Sequence, residues 1–338
     1  MSPPGKAVVL DAPGTSRLVE HVPRQPGPGE AQVRVHAAGM CGSDRDLYLG
    51  RRPAPYARYP LTPGHEWSGT VIAVGEGAPA SLIGRKVVGE GLWNCATCVR
   101  CRAGETDLCT AGYEETGFTR PGAMAPTLTL PARLLHTLPP DADLTAAALL
   151  EPAARAAAAV LKASPPPGAR VAVIGAGALG LFTAQLLGAF SPSELTVVGA
   201  GPGRAALADR FGATAYRTWD RPSGLVDFDL VIDAVGAAST ARAATSLLRP
   251  GGRLVLTGIP VHGAAGLDPA RVVARQLSIG TALGAPSGAW SSAVRAFSAA
   301  RLTPLELVTH RLGVDEFERA MALTAGGDPR VGRVLLRP

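Results

Sequence analysis

A strand–turn–helix pattern in the middle of the chain constrains its fold more than any other feature. The β-branched apolar run from Val171 to Ile174 is followed by Gly175-Ala-Gly177-Ala-Leu-Gly180 and then by a segment with the composition of a helix. In this order, a G-x-G-x-x-G sequence predicts a tight turn that brings backbone N–H groups and a helix N-terminus to a dinucleotide pyrophosphate. The glycine motif alone is a weak signal in a chain with 41 glycines, and its place between a strand and a helix makes it specific.

Strands and helices continue to alternate along this part of the chain. Segments 195–198, 228–233 and 253–258 have the composition of strands, and helical segments separate them. The alternation from about residue 168 to 280 predicts a doubly wound parallel sheet. Residues 1–140 instead contain short strands between Gly/Pro turns, which predict an irregular β domain. A length of 338 residues fits two domains.

The end of the second predicted strand bears on the choice of coenzyme. An acidic residue that binds the adenosine ribose hydroxyls is expected there, and the chain has Gly199, 19 residues after Gly180. The missing acid removes repulsion against a 2′-phosphate, and Arg204 can supply positive charge. We therefore expect NADP(H) in preference to NAD(H). The alternative is an NAD(H) site with a weaker hold on the ribose, since an arginine near this place also occurs in NAD-binding loops.

Four of the five cysteines lie within fifteen residues of one another. A reducing cytoplasm disfavours disulfides, and two-residue gaps allow neighbouring thiolates to face one tetrahedral ion. Four thiolates leave no open position, so the pattern predicts a structural zinc. Reactive thiols and an iron–sulfur cluster are the alternatives, although the run lacks the proline that follows the last cysteine of bacterial ferredoxins. The four residues are Cys95, Cys98, Cys101 and Cys109.

The fifth cysteine, Cys41, belongs to a second candidate metal group. His65 follows it 24 residues later, Glu66 is next to that histidine, and Glu151 opens an alanine-rich helical stretch. Thiolate, imidazole and carboxylate together suit a zinc ion with one exchangeable position. A lone cysteine is more often a buried small apolar residue. The nearby four-cysteine run favours the metal site.

Net charge and the N-terminus exclude other classes of function. The formal charge is +6, but the basic residues are scattered and 30 of the 33 are arginine, as a GC-rich genome produces. A nucleic-acid partner is therefore not expected. The first residues show no secretory signal, which favours a cytoplasmic location. Residues 171–190 are uncharged and long enough to span a bilayer, but their four glycines favour a soluble strand–turn–helix.

These motifs together resemble the zinc-dependent medium-chain alcohol dehydrogenases over nearly the whole chain. Six motifs occur in the expected order: Cys41-Gly-Ser-Asp44, Pro63-Gly-His65-Glu66, the four-cysteine run, Leu150-Glu151-Pro152, the glycine motif and the terminal Val331-Gly-Arg-Val-Leu-Leu-Arg-Pro. The resemblance implies an α/β protein with a discontinuous GroES-like catalytic domain, 1–152 and 284–338, and a Rossmann domain, 153–283. It also implies a homodimer or homotetramer.

The resemblance assigns roles to the metal-site residues. Cys41 and His65 match ligands of a catalytic zinc, and Glu66 matches an acid beside it that serves as a ligand or supports one. Glu151 stands where liver-type enzymes have a cysteine, and an acid there resembles the sorbitol and threonine dehydrogenase branch. With the structural site, the resemblance implies two zinc ions per chain.

Three residues after Cys41 match the supporting and proton-transfer groups of the family. Asp44 matches a carboxylate that orients the zinc-bound histidine. Ser43 matches a hydroxyl that bonds the substrate oxygen and starts a proton relay. Asp46 replaces a histidine that often serves as the proton exit, so either Asp46 takes that role or protons leave through water. The alternative for Asp46 is a surface ion pair with Arg45 or a neighbouring arginine.

The implied activity is hydride transfer between a secondary alcohol and NAD(P)+. We expect a polyol, sugar, cyclitol or aminocyclitol as the substrate, and the GC-rich composition suggests antibiotic biosynthesis. Simple alcohols or aldehydes, an amino-acid alcohol, and a non-catalytic NAD(P)-binding relative are the alternatives. The residues expected at the coenzyme are Gly175, Gly177, Ala178, Leu179, Gly180, Gly199, Arg204, Val235 and Gly258.

Overall fold

The computed structural model describes residues 5–220, 225–259, 266–328 and 330–338. The chain divides into two compact units. The first, which we call the terminal unit, contains Met1–Glu151, Pro286–Ser298 and Thr303–Pro338. The second, the internal unit, contains Pro152–Ala285 and Ala299–Leu302. The observed divisions therefore fall at 151/152 and 285/286, next to the predicted ones at 152/153 and 283/284.

The described residues contain fifteen strands and ten α-helices. The strands are β1 (Lys6–Ala12), β2 (Thr15–Glu20), β3 (Glu30–Met40), β4 (Glu66–Val74), β5 (Lys86–Gly89), β6 (Thr127–Pro131), β7 (Leu135–Thr137), β8 (Arg170–Ile174), β9 (Glu194–Gly199), β10 (Ala215–Thr218), β11 (Phe228–Asp233), β12 (Leu248–Leu256), β13 (Ser278–Thr281), β14 (Val308–Gly313) and β15 (Arg333–Arg337). The helices are α1 (Gly42–Tyr48), α2 (Val99–Arg102), α3 (Leu144–Ala147), α4 (Leu150–Ala163), α5 (Ala178–Leu187), α6 (Ala205–Arg210), α7 (Ala238–Leu247), α8 (Pro269–Ala274), α9 (Ser287–Ser298) and α10 (Phe317–Ala325).

The internal unit is built on a six-stranded sheet in the order β10-β9-β8-β11-β12-β13. Every neighbouring pair in it is parallel. The apolar residues of β8 from Val171 to Ile174 are fully buried, as a parallel strand covered on both faces requires. The predicted doubly wound α/β sheet is confirmed.

The uncharged stretch 171–190 forms β8, a glycine turn and α5. Its turn begins at Gly175, whose φ of 109° lies in a region that residues with a side chain rarely adopt. The strand–turn–helix prediction is therefore confirmed. None of the described helices is long and apolar enough to cross a membrane.

The terminal unit contains a mixed β-sheet centred on β3. Its strand order is β14-β15-β3-β4-β5-β7, and β6 also pairs with β3. Along one edge, β3 pairs with β4 over most of its length. The other edge is shared, because β6 pairs with the first half of β3 and β15 with its last three residues. This irregular, mostly antiparallel sheet is the β domain that the Gly/Pro-rich N-terminal sequence predicts.

The last strand of the chain lies inside this sheet. β15 pairs in parallel with β14 and antiparallel with β3. Val334, Leu335 and Leu336 are buried, and Leu336 belongs to the same hydrophobic core as Val33 of β3. The C-terminal residues are therefore part of the core of the terminal unit.

We predict that Leu336→Ala lowers the free energy of unfolding by about 2–5 kcal/mol, the usual cost of a large cavity in a core. Arg337→Ala, one residue later and exposed, is the matched control and changes it by less than about 0.5 kcal/mol. Urea unfolding followed by circular dichroism measures both. Equal stability of the two variants would contradict the burial of β15.

Candidate functional site

The four clustered cysteines converge on one point of the terminal unit. One ligand atom of each of the four lies within 4.8 Å of the others. Sγ of Cys95 is 3.9 Å from Sγ of Cys101, far longer than the 2.05 Å of a disulfide. Two thiolates on one tetrahedral zinc are about 3.8 Å apart, because each Zn–S bond is about 2.3 Å. The spacing therefore fits a shared zinc ion.

Backbone N–H groups prepare these sulfurs for a metal ion. The N–H of Cys98 donates to Sγ of Cys95 at 3.3 Å, and the N–H of Cys101 donates to Sγ of Cys98 at 3.5 Å. The backbone N–H of Thr110, followed by that of Cys101, lowers the pKa of Cys98 to about 5. Burial, followed by the neighbouring thiol of Cys98, raises the pKa of Cys101 to about 12. Four thiolates so close together require a cation, and the site fits zinc.

The second group brings together Cys41, His65 and Glu66, again with ligand atoms within 4.8 Å of one another. The antiparallel register of β3 and β4 explains why: Gly39 pairs with Glu66, so the residues that follow Gly39, among them Cys41, run alongside His65, which precedes Glu66. Sγ of Cys41 is 3.3 Å from Nε2 of His65. A thiolate and an imidazole at this separation can share one tetrahedral ion.

Asp44 supports both members of this pair. Cys41 caps α1, and its backbone N–H donates to Oδ2 of Asp44 at 2.9 Å. Oδ1 of Asp44 faces Nδ1 of His65 at 3.3 Å, and neither atom has another hydrogen-bond partner among the described residues. The carboxylate thus faces the nitrogen opposite the one near Cys41. This is the arrangement that orients a metal-binding histidine.

Burial raises the pKa of the Cys41 thiol. A buried thiol gives up its proton only when a positive charge stabilises the thiolate, as a bound metal ion does. The side chains of His65 and Asp44 are also almost fully buried. The donor set and its surroundings therefore fit a zinc ion at Cys41 and His65.

Glu66 is held by an arginine that the sequence reading did not assign. Nη2 of Arg333, the first residue of β15, donates to Oε2 of Glu66. A Cβ at Gly39 would overlap that same carboxylate, so the glycine makes room for it. Burial alone would lower the pKa of Arg333. The charge of Glu66 outweighs this effect and the pKa is raised, and the charge of Glu151 contributes to the rise. Glu151, in the first turn of α4, is not in the group of ligand atoms found among the described residues.

Ser43 and Asp46 lie on α1, directly after Cys41. The backbone N–H of Ser43 donates to Sγ of Cys41 at 3.3 Å, so the backbone of Ser43 lies beside the metal group. Asp46 lies on the exposed side of the helix, and its Oδ1 is 3.9 Å from Nη1 of Arg51. The surface pair that we considered for Asp46 is thus present, with Arg51 as the partner.

The glycine motif of the internal unit has the geometry of a phosphate cradle. The N–H of Gly175 donates to the carbonyl of Val198 at 2.8 Å, which ties the turn to β9. A Cβ at Gly180 would overlap the carbonyl oxygen of Gly175, so only glycine allows α5 to pack on the turn. A Cβ at Gly177 would meet nothing within 4 Å. That open space lies at the N-terminus of α5, where unpaired N–H groups favour an anion, and it fits a pyrophosphate.

The other predicted coenzyme residues follow the carboxyl ends of neighbouring parallel strands. Val235 follows β11 and Gly258 follows β12. A Cβ at Gly175 would lie 2.9 Å from Cγ2 of Val235, and one at Gly258 would overlap Cα of Gly236. These glycines therefore permit close approach of the loops at the edge of the sheet where dinucleotides bind in such folds.

Tyr216 occupies the place next to Gly199. A Cβ on Gly199, the last residue of β9, would overlap the phenol oxygen of Tyr216 from β10. That phenol donates to the carbonyl of Gly201 at 2.6 Å. Burial raises the pKa of Tyr216, and the charge of Arg204 opposes the rise, which places the guanidinium in the same neighbourhood. A tyrosine and an arginine thus replace the usual acid.

Two family models match the chain. Residues 27–140 match the alcohol dehydrogenase GroES-like domain, and residues 178–299 match the zinc-binding dehydrogenase domain. The erythritol/L-threitol dehydrogenase of Mycolicibacterium smegmatis is 30% identical over 351 residues, which covers 96% of each chain. The chain belongs to the zinc-dependent medium-chain alcohol dehydrogenase family. It is therefore an NAD(P)-dependent zinc oxidoreductase with a GroES-like domain and a Rossmann-like domain.

Other members of the family are similar to nearly the whole chain. The L-threonine 3-dehydrogenase of a Chelativorans species is 29% identical over 347 residues, 98% of each chain. A zinc-binding dehydrogenase of Sinorhizobium meliloti, solved with NADP, superposes with a TM-score of 0.91 at 26% identity and covers 98% of this chain and 99% of its own. The RspB dehydrogenase of Escherichia coli, solved with NADH, has the same TM-score and coverage at 25% identity.

We predict that Gly177→Ala and Gly180→Ala separate coenzyme binding from folding in this dehydrogenase. Gly177→Ala fills only open space, so the protein keeps its stability and binds the coenzyme more weakly. Gly180→Ala forces a Cβ onto the backbone of Gly175 and costs about 1–3 kcal/mol of stability. Calorimetric titration with NADP+ and NAD+ measures binding, and thermal unfolding measures stability. Unchanged coenzyme binding by Gly177→Ala would contradict the cradle.

Proposed function

We propose that this dehydrogenase transfers a hydride between a polyhydroxylated secondary alcohol and NADP+. The polyol, sugar, cyclitol and aminocyclitol classes all fit this description. The observation that supports the reaction type is the group of half-buried Cys41 with buried His65 and Glu66, and with Asp44 behind the histidine. The similarity to an erythritol/L-threitol dehydrogenase supports a polyol. The similarity to L-threonine 3-dehydrogenases supports an amino-acid alcohol as the second candidate.

Residues of the terminal unit have separate roles in this reaction. Zinc and the nicotinamide, when bound, supply polarisation of the alcohol and acceptance of the hydride. Cys41 and His65 would hold the metal ion, and Asp44 keeps the imidazole in the orientation that would bind it. The Ser43 hydroxyl accepts the proton of the substrate hydroxyl as it donates its own proton onward to water. Asp46, three residues later on α1, pairs with Arg51 but remains exposed, so it is the candidate group that takes this proton from water and releases it to solvent.

Arg333 sets the charge of this centre. Its guanidinium pairs with Glu66, which removes one negative charge from the immediate surroundings of the metal group. Less negative charge beside a bound metal ion would leave that ion a stronger Lewis acid toward a neutral alcohol. Glu151, which also acts on Arg333, is the further candidate ligand.

We expect two zinc ions per chain and oxidation of polyols that a chelator abolishes. Cys41→Ala retains one zinc ion and loses turnover, because the catalytic ion is gone. Cys98→Ser also retains one ion and loses stability, because a structural zinc contributes to folding. Metal analysis by mass spectrometry and an absorbance assay of coenzyme reduction measure these changes.

Two results would contradict this assignment. Full turnover by Cys41→Ala would exclude a catalytic zinc at that residue. A single zinc ion in the wild-type chain would show that one of the two groups does not bind metal. Threonine as the best substrate in a panel of polyols, sugars, simple alcohols and amino-acid alcohols would replace the polyol proposal with the second candidate.

The preference for NADP(H) rests on Gly199, Tyr216 and Arg204. Gly199, the last residue of β9, has no carboxylate that would repel a 2′-phosphate. The phenol of Tyr216 occupies the space that an acidic side chain would need at this position. Arg204 lies in the 3-10 turn directly before α6 and supplies a positive charge beside that phenol. A guanidinium suits a phosphate better than it suits two ribose hydroxyls.

We predict that Arg204→Ala raises KM for NADP+ by about tenfold to a hundredfold, the effect of losing a hydrogen bond to a charged group. KM for NAD+ should change less than about threefold, because the phosphate is missing there. Arg210→Ala, on α6 of the same unit, is the matched control. Steady-state kinetics with both coenzymes measures the effect. A strong preference of the wild type for NAD+ would contradict this reading of Gly199.

We also propose that the protein forms a homodimer through β13. This strand is at one edge of the parallel sheet, and most of its residues are exposed. Ile279 on the strand and Val273 on the preceding helix α8 add exposed apolar surface. An unpaired strand edge is a template for pairing with another chain, here a second copy, and a homotetramer would add a further interface.

A further inference from the structure

A closed polar network joins two loops of the terminal unit beside the metal group. Nη2 of Arg52 donates to Oε2 of Glu115 and to the phenol oxygen of Tyr113, and that phenol donates to the same carboxylate. Nε of Arg52 donates to the carbonyl of Tyr56 at 2.8 Å. The Tyr56 and Tyr113 rings meet edge to face at 4.8 Å. We call Arg52, Tyr113 and Glu115 the arginine clamp.

The clamp contacts the metal-binding histidine through one aromatic ring. The guanidinium carbon of Arg52 lies 3.6 Å from the centre of the Phe118 ring. The ring of Phe118 is almost fully buried and packs against the imidazole of His65, with 4.7 Å between their centres. A single phenyl ring thus separates the charged group of the clamp from the metal group.

The loop that carries the clamp is fixed on the backbone next to His65. A Cβ at Gly117 would come within 2.8 Å of the carbonyl carbon of Gly64, and both glycines have positive φ. The N–H of Arg58 donates to the carbonyl of Phe118 at 3.0 Å, which joins the two loops a second time. Polar groups held this rigidly can discriminate between substrates, since they cannot move to accommodate a wrong one.

Three arginines of this region are each paired with a carboxylate. Arg52 pairs with Glu115, Arg51 with Asp46 and Arg120 with Glu114. An anionic substrate group at Arg52 would therefore also meet the carboxylate of Glu115. Nη1 of Arg52 has no hydrogen-bond partner within the described part of the chain, and about a fifth of the side chain is exposed. The clamp thus offers hydrogen-bond donors without net charge, which suits the oxygen of a neutral hydroxyl.

We propose that the arginine clamp determines substrate specificity by selecting neutral alcohols with several hydroxyl groups. Arg52 donates to a hydroxyl remote from the carbon that is oxidised. An alcohol without that hydroxyl leaves the donors of a partly buried guanidinium unpaired, which a rigid site penalises. The inference rests on the proposed function, because it names the substrate class of the same site.

The test compares myo-inositol, sorbitol and erythritol with cyclohexanol and sorbitol 6-phosphate, using the zinc-loaded enzyme and both coenzymes. In Arg52→Gln/Glu115→Gln, both charges are removed together, so no unpaired charge remains. We expect kcat/KM for the best polyol to fall about tenfold to a hundredfold, mainly through KM, and that for cyclohexanol to change less than about threefold. Arg52→Lys should lose only part of this kcat/KM, and Tyr113→Phe should lose less of it than Arg52→Gln/Glu115→Gln.

Arg120→Gln/Glu114→Gln is the matched control, because it neutralises an equivalent ion pair that packs on Trp93 and not on Phe118. Its polyol kinetics should equal those of the wild type. A parallel loss for every substrate in Arg52→Gln/Glu115→Gln would overturn the proposal, since it would show that the clamp only supports Phe118 and His65. A wild-type preference for cyclohexanol or for the phosphate ester would overturn it too.

Calorimetric titration of the same polyols separates this proposal from the proposed reaction. If no alcohol is turned over, the proposed function fails. Polyol binding that the wild type retains and Arg52→Gln/Glu115→Gln loses then still supports the clamp. Equal binding by the two proteins, or no binding of any polyol by the wild type, overturns it.

Discussion

The antiparallel pairing of β3 with β4 is the interaction on which the metal centre depends. β3 ends at Met40 and β4 begins at Glu66, and the register that opposes Gly39 to Glu66 brings Cys41 next to His65. A shift of one residue would turn either side chain to the other face of the sheet. The long pairing with β4 and the burial of Ala37 to Met40 on both faces of the sheet hold that register, so the ligand geometry is a consequence of the sheet.

The other edge of β3 completes the centre with the end of the chain. β15 pairs with Ala38, Gly39 and Met40, and its first residue is Arg333. The same short stretch of β3 therefore positions Glu66 on one side and its guanidinium partner on the other. Folding of the C-terminal strand and assembly of the metal centre are thereby coupled. Local sequence motifs cannot predict this coupling.

Local features of this protein and the metal group that its motifs contain could be predicted from its sequence, and contacts outside those motifs could not. The four-cysteine group and the glycine turn each lie in a short segment, and spacing alone limits their geometry. The pair of Glu66 and Arg333 spans 267 residues, and the clamp joins Arg52 to Glu115 across 63. Arg333 lies in the terminal motif, but nothing in that motif pairs it with Glu66, and none of the six motifs contains Arg52 or Glu115. Gly199 shows in the sequence that the acid is missing, but the phenol of Tyr216 that takes its place comes from the next strand.

The buried charges explain why Glu66 is tied to an arginine. A Cys41 thiolate and the carboxylates of Asp44 and Glu66 bring three negative charges into a space where burial alone already raises the pKa of the thiol. Arg333 offsets one of them, and the remaining two match a dication. Without the guanidinium, an uncompensated buried carboxylate would face the thiolate, at a high cost in stability. The arginine thus lets the site carry an acid beside a thiolate ligand, and it ties the charge of the centre to the last strand of the fold.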